Sequence, residues 1–274
     1  MVYCVSYNCF FREEYILKDK KTNKPRKRGI GLRILKPLML GRYKRPDFVF
    51  IGGQPMSDDG AIILSNHAGT DGPLSLEFYL DRDVAFWGAS EMTSGLIPLY
   101  SYQSRVYYHE KKHWNLFLSH IFCLLASPLT NIFYSGLDMI PTYHDARFVK
   151  TLRDSIRRLS NKENIVIFPE DSSKGYLDQL EGFHGGFASL LQMCDRRGVD
   201  VPVYVSYFRK SDMKYIFDKP IMLSEIVGSG ESKEQIARRL CERCNALGRM
   251  SEQELSAARQ PAETADGEQA QQVV

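Results

Sequence analysis

From Asp47 onward, short apolar runs alternate with longer stretches in which apolar residues recur every three or four positions. The runs FVFIG (48–52), AIILS (61–65), VAFWGA (84–89), NIVIFPE (164–170) and VPVYVSYF (201–208) have the length and composition of strands. SDDG at 57–60 makes a turn between the first two. Pro73 follows Gly72 and suits a first helical position, so a helix is expected to carry Leu74 to Leu80. Asp145 is placed to cap a helix running to about Ser160, with Val149, Leu152, Ile156 and Leu159 on one stripe. Arg147, Lys150, Arg153, Arg157 and Arg158 fall off that stripe, which turns most of them to water. Phe187, Leu190, Leu191 and Cys194 mark another amphipathic helix. A last one near 232–248 uses Ile236, Leu240, Cys244 and Leu247.

This alternation predicts an α/β fold with a mostly parallel central sheet flanked by helices. The uninterrupted apolar run NIVIF suits a strand covered on both faces. Ligands of such sheets bind beyond the carboxyl ends of the strands. AIILS runs into Asn66-His67, and NIVIF runs into Glu170-Asp171 after one proline, so the two polar clusters should meet at one sheet edge.

With 274 residues, 43% hydrophobic and 25% charged, the chain can form one large domain or two small ones around a real core. Six cysteines without a secretory leader point to a reduced, cytoplasmic setting rather than a disulfide framework. Cys241 and Cys244 are spaced C-x-x-C inside a helical pattern, with no second pair, so zinc is not expected there.

Charge is unevenly spread. Twelve Lys or Arg and one acid lie between Lys18 and Arg45, preceded by the uncharged, aromatic start MVYCVSYNCFF. Those eleven residues are too few to span a bilayer, which needs about 20. They suit an interfacial anchor, because each Lys or Arg near an anionic leaflet contributes about 1 kcal/mol. A basic arm also binds nucleic acid, but nothing else in the chain suggests base readout. The expected partner is therefore a membrane surface and not nucleic acid. The chain divides into a basic, aromatic membrane-interface segment (1–46), a folded domain (47–250) and a mobile tail (251–274). Trp114 to Leu137 carries no Asp, Glu, Lys or Arg. Its Pro128, Asn115, His120 and Asn131 favour a buried or interface-dipping helix pair over a transmembrane helix.

His67 and Asp71 have the spacing of one helical turn, with Gly69 and Gly72 giving the backbone freedom to bring them together. They read as a general base and the acid that orients it. By itself an Asn-His pair also reads as a strand end capping the next helix. His144 and His184 read as structural or surface residues. His67, Asp71, Glu170 and His184 lack the H-x-x-x-H or H-E-x-x-H spacing of a metal site, and no metal is expected.

Four blocks, in order across roughly Asp47 to Phe208, resemble the glycerolipid acyltransferases, the lysophosphatidic acid acyltransferase-like family. Asn66 to Asp71 (NHAGTD) is similar to the family's Asn-His-x4-Asp, one residue shorter. Asp138 to Asp145 stands where the family has a strand ending in an Arg-bearing turn. Phe168-Pro169-Glu170-Asp171-Ser172-Ser173 is similar to Phe-Pro-Glu-Gly-Thr-Arg-Ser, and Gly182 to Phe187 looks like Phe-Lys-x-Gly-x-Phe. Val201-Pro202-Val203 resembles the family's Val-Pro-Val/Ile strand.

The resemblance implies an α/β acyltransferase fold and a mechanism. His67 would take the proton from an acceptor hydroxyl as that oxygen attacks an acyl thioester, and Asp71 would hold the other ring nitrogen. No protein nucleophile, metal or cofactor is implied beyond the donor, an acyl-CoA or acyl carrier protein. The acceptor implied is a glycerolipid such as 1-acylglycerol-3-phosphate, met at the inner face of a membrane. Asn66, Glu170, Ser172, Ser173 and Pro202 would surround it. The family's phosphate-binding arginines are missing: Ser173 replaces one, leaving Lys174 as the nearest cation, and Tyr143-His144 replaces the other, with Arg147 as its substitute. These departures touch acceptor recognition rather than the catalytic step. The alternatives are a lipid-binding or membrane-tethering protein that has lost turnover, and a metal-dependent hydrolase.

Overall fold

The structure, a computed structural model, describes residues 29–41, 43–171 and 175–259. The elements up to the middle of the chain are α1 (Ile30–Leu40), β1 (Asp47–Phe50), β2 (Ile62–Ser65), α2 (Asp71–Tyr79), β3 (Val84–Ala89), α3 (Ser90–Thr93), α4 (Leu96–Ser101), a π-helix (Tyr102–Lys111) and α5 (Leu116–Gly136). There follow β4 (Met139–Thr142), α6 (Phe148–Ser160), β5 (Asn164–Ile167), α7 (Gly186–Asp195), β6 (Pro202–Arg209), β7 (Lys214–Phe217), β8 (Ile221–Met222), α8 (Leu223–Gly228), α9 (Lys233–Arg249) and α10 (Glu252–Ala258).

One sheet runs β1-β7-β6-β2-β5-β3-β4, with β8 paired to β6. Among the pairings between the named strands of the described residues, β6–β7 and β6–β8 are antiparallel and the other five are parallel. The expected mostly parallel α/β sheet is therefore present. Alternate residues of its central strands bury on opposite faces. Ile62 and Leu64 of β2 join Ile156 of α6, Leu190 of α7 and Leu240 of α9. Ile63 of β2 and Val166 of β5 instead join Leu76 of α2 on the other face. Each such Leu or Ile contributes about 1.5–3 kcal/mol when fully buried. Two covered faces explain why these strands read as unbroken apolar runs. β2 and β5 are neighbours, and the helices that follow them, α2 and α7, pack on opposite faces. That crossing opens a crevice at the carboxyl ends of the two strands.

Several expectations need correction. SDDG lies in the connection from β1 to β2 as read, and the two strands it joins are separated in the sheet by β7 and β6. α2 starts at Asp71, two residues before Pro73, with Leu74 N–H already bonded to the Thr70 carbonyl. α6 starts at Phe148; Asp145 sits before it and accepts from the Arg147 N–H at 2.8 Å. Val149 is exposed, so the buried stripe of α6 narrows to Leu152, Ile156 and Leu159. Most bases off that stripe face water as expected, Arg147, Lys150, Arg153 and Arg157 being exposed; Arg158 is the exception and bridges Asp138 and Glu163 at 2.8 Å each. Trp114 to Leu137 holds one continuous helix rather than a pair, with Pro128 inside it. The missing N–H and ring clash of such a proline cost about 3 kcal/mol, which packing of α5 against the π-helix and α1 offsets.

The folded body also extends beyond 47–250. α1 packs on α5 through Leu32, which is almost fully buried. α10 begins with a reciprocal Ser251–Glu254 capping box and buries Leu255. Its Glu252 accepts from Arg209 at 2.9 Å and also meets Lys214. The aromatic start, the basic run up to Arg28 and the tail from Gln260 lie outside the described residues.

Candidate active site

The crevice between β2 and β5 is lined by a short, strained loop. Ala68 and Gly69 both adopt the left-handed conformation, with φ of 45° and 71°. That conformation costs an alanine about 1–2 kcal/mol. The two residues reverse the chain so that the Gly69 carbonyl returns to Nδ1 of His67. A carbonyl only accepts, so the proton sits on Nδ1 and the lone pair is on Nε2. At Gly72 a Cβ would lie 2.6 Å from the His67 carbonyl oxygen. Only glycine allows α2 to begin this close to the loop.

The imidazole is half-buried between two rings. Tyr176 stacks on it with centroids 4.8 Å apart, and Phe168 lies 4.9 Å away at 56°. Burial pulls the His67 pKa down to about 4; the bond to Gly69 opposes this, and the positive charge of Lys111 adds to it. The ring is therefore neutral at physiological pH. The backbone N–H of His67 donates to Oε2 of Glu170 at 2.8 Å. The two strand-end clusters expected at one edge do meet there, through this bond. Burial raises the Glu170 carboxyl, while the N–H groups of His67 and Leu177 and the charge of Lys111 hold it down.

Other expected site residues are placed differently. Asp71 does not hold His67; its carboxylate pairs with Lys210 Nζ at 2.6 Å, and the Gly69 carbonyl occupies the ring nitrogen in its stead. Asn66 does not face the crevice. Its amide donates to the Phe208 carbonyl at 3.0 Å and accepts from the Phe208 N–H at 2.7 Å, clamping β2 to β6. Pro202 is corrected more sharply. Ser206 is level with Ser65, so Pro202, four residues earlier on β6, sits at the opposite edge of the sheet. Arg147 is exposed, bound to Asp145 and stacked 4.6 Å over the Tyr143 ring. It follows β4, three strands from β2, or about 14 Å at the usual strand spacing. Ser172, Ser173 and Lys174 lie outside the described residues. His184 is exposed, with Nε2 3.8 Å from Asp171.

The π-helix supplies what the sequence pattern did not announce. Lys111 and Lys112 lie 6.0 and 5.9 Å over the Tyr176 ring, and Lys112 also lies 5.9 Å over Tyr107. π-helices are rare and concentrate at functional sites. The two tyrosines followed by His109, Lys111 and Lys112 in YYHEKK (107–112) were the available signal, but they follow no helical period. Among the described residues, no group of three His, Cys, Asp or Glu side chains is gathered as metal ligands. In comparisons with known proteins, no family model matches the chain and no curated protein matches it.

Proposed function

We propose that the chain is an acyltransferase that moves a fatty acyl group from an acyl-CoA or acyl carrier protein to a glycerolipid hydroxyl, working peripherally at the inner face of a membrane. Nε2 of His67 takes the hydroxyl proton while the oxygen bonds to the thioester carbonyl carbon. The C–S bond then breaks, and the departing sulfur receives that proton from the imidazolium. The single observation that carries this reading is the tautomer: Nδ1–H is committed to the Gly69 carbonyl, so Nε2 is the basic nitrogen, in a crevice at the carboxyl ends of β2 and β5. Lys111 and Lys112 supply positive charge beside it for an anionic acceptor or donor.

A groove of about 620 Å³, lined by Trp114, Leu118, Ile121, Phe122 and Leu125, gives an acyl chain an apolar bed. The groove is open, with its lining side chains exposed, so it covers one side of such a chain. An aromatic path leads from it to the site: Trp114 contacts Tyr108 at 4.9 Å, Tyr108 contacts Tyr107 at 5.0 Å, and Lys112 bridges Tyr107 to Tyr176 on His67.

The test is thiol release with acyl-CoA and acyl carrier protein donors and a panel of lysolipids. His67→Ala should lower the rate about 10²–10⁴-fold with the unfolding transition unchanged. A variant within a few-fold of wild type would sink the mechanism. One observation favours a second reading, a lipid-binding protein without turnover: the Asp71 carboxylate is taken by Lys210. That reading predicts lysolipid binding with no thiol released from any donor.

A further inference from the structure

Around α5 the usual arrangement of side chains is turned inside out. Along its first three turns the stripe facing the protein is small: Ser119, Cys123 and Ser127 are buried at four-residue spacing, and Phe133 near the end is the large apolar side chain buried with them. Ser127 and Thr130 both donate to Oε1 of Gln103, at 2.9 and 3.1 Å. The outward face carries the large apolar residues, with Phe117, Leu124 and Leu125 about 70% exposed or more (70, 68 and 78%). α1 shares the outward half of the pattern while burying Leu32 inward. Its end meets α5 through glycines, since a Cβ on Gly29 would lie 2.9 Å from Gly136 Cα, and one on Gly136 would lie 2.6 Å from Leu32 Cβ. Its Ile30 and Ile34 point outward, 75 and 65% exposed. Small residues and hydroxyls between helices, with Leu, Ile and Phe outside, is the packing that lipid favours and water penalises.

α5 is long enough to cross a bilayer, 21 residues with a mean hydropathy of 1.7 over its most apolar window. Its connections forbid that. At its start Trp114 N–H bonds to the Tyr108 carbonyl of the π-helix, which also reaches Tyr176. At its end the chain enters β4, inside the sheet, with Asp138 held by Arg158. Both ends belong to one folded body, whereas a crossing would put the π-helix and the sheet on opposite sides of the bilayer. α5 also carries no Asp, Glu, Lys or Arg along its length. A protein partner would be met by a polar rim and roughly one hydrogen bond per 100–200 Å²; a lipid surface asks for none.

We infer that the outer face of α5, continued by Ile30 and Ile34 of α1, lies in a lipid surface with α5 parallel to the membrane plane. This rests on packing and is independent of the chemistry proposed for His67. The experiment is flotation of the full chain with vesicles of phosphatidylcholine, alone or mixed with phosphatidylglycerol, with no thioester present. Leu124 and Leu129 lie on the exposed face and outside the groove. The wild type should float with both vesicle types and stay bound at high salt. The double variant Leu124→Glu, Leu129→Glu should bind at least tenfold less, with an unchanged unfolding midpoint. Vesicles should also shift tryptophan emission to the blue, and Trp114→Phe should abolish that shift. The inference is overturned if the wild type does not float. It is overturned equally if binding needs the anionic lipid, vanishes in salt and ignores the double variant, because the basic arm then accounts for it. A wild-type dimer that the double variant dissociates, without flotation, overturns it in favour of a second copy of the chain.

Discussion

α5 and α6 flank the same strand, one entering β4 and the other leaving it, and their side chains are sorted in opposite ways. α6 turns Leu152, Ile156 and Leu159 to the sheet and Lys150, Arg153 and Arg157 outward. α5 turns Ser119, Cys123 and Ser127 inward, joined near its end by Phe133, and its leucines, Phe117 and Phe122 outward. Periodicity alone tells that a helix has two sides; which side faces the protein depends on the medium outside. The α6 flank is built for water. The α5 flank is not.

The comparison can be broken most forcefully at Arg158. If the bases of α6 were all solvated, Arg158→Met would be silent. Arg158 and Asp138 are instead mostly buried partners, and removing one leaves a buried charge, at a cost of about 3–5 kcal/mol. Urea unfolding of Arg158→Met should show that loss. A smaller effect sharpens the contrast on α5. Ser127→Leu adds apolar bulk to the packed inner stripe and should destabilise by about 1–3 kcal/mol. Leu129→Ser on the outer face should stay within about 0.5 kcal/mol in lipid-free buffer. Equal effects of the two would erase the proposed inversion.

The smallest effect separates the flanks by what they do to His67. Lys111, on the α5 side, disfavours the imidazolium; Arg158 does not act on it. With His67 as the proposed base, Lys111→Met should therefore move the acid limb of the kcat/KM profile to higher pH, and the wild-type limb should lie near pH 4 rather than 6.5. The linked stability has the same sign. A histidine whose pKa falls on folding contributes fully above about 6.5, and that contribution is lost as pH drops toward about 4. A wild-type limb at 6.5 would show that the ring is not enclosed in solution.

The strands, the sheet class and the meeting of the two polar clusters were legible because they depend on apolar runs and on where those runs stop. His67 and Glu170 are strand-end residues, and the parallel sheet brings strand ends together. What escaped has physical reasons. KYIF in β7 is only four residues long, and its partners are set by tertiary pairing. Asn66 and Asp71 were misread because partner choice is not local: Phe208 and Lys210 are both more than a hundred residues away. Pro202 belongs to the right strand but to its wrong end, a matter of register. The π-helix wall has no period that a helix or strand template can detect. The direction in which α5 faces could not be read from a pattern that is the same inside out.

The contact between Gly69 and His67 bears on how this site would look in a mutational scan. The group that fixes the imidazole proton is a main-chain carbonyl, so no side-chain replacement deletes it. Substitutions at Gly69 act only through the left-handed backbone, and those at Asp71 act on Lys210 instead. A scan would thus record its strongest loss at position 67 and comparatively little at the atom that orients it. Changing the length of the loop, by adding one residue before Gly72, reaches what no substitution can.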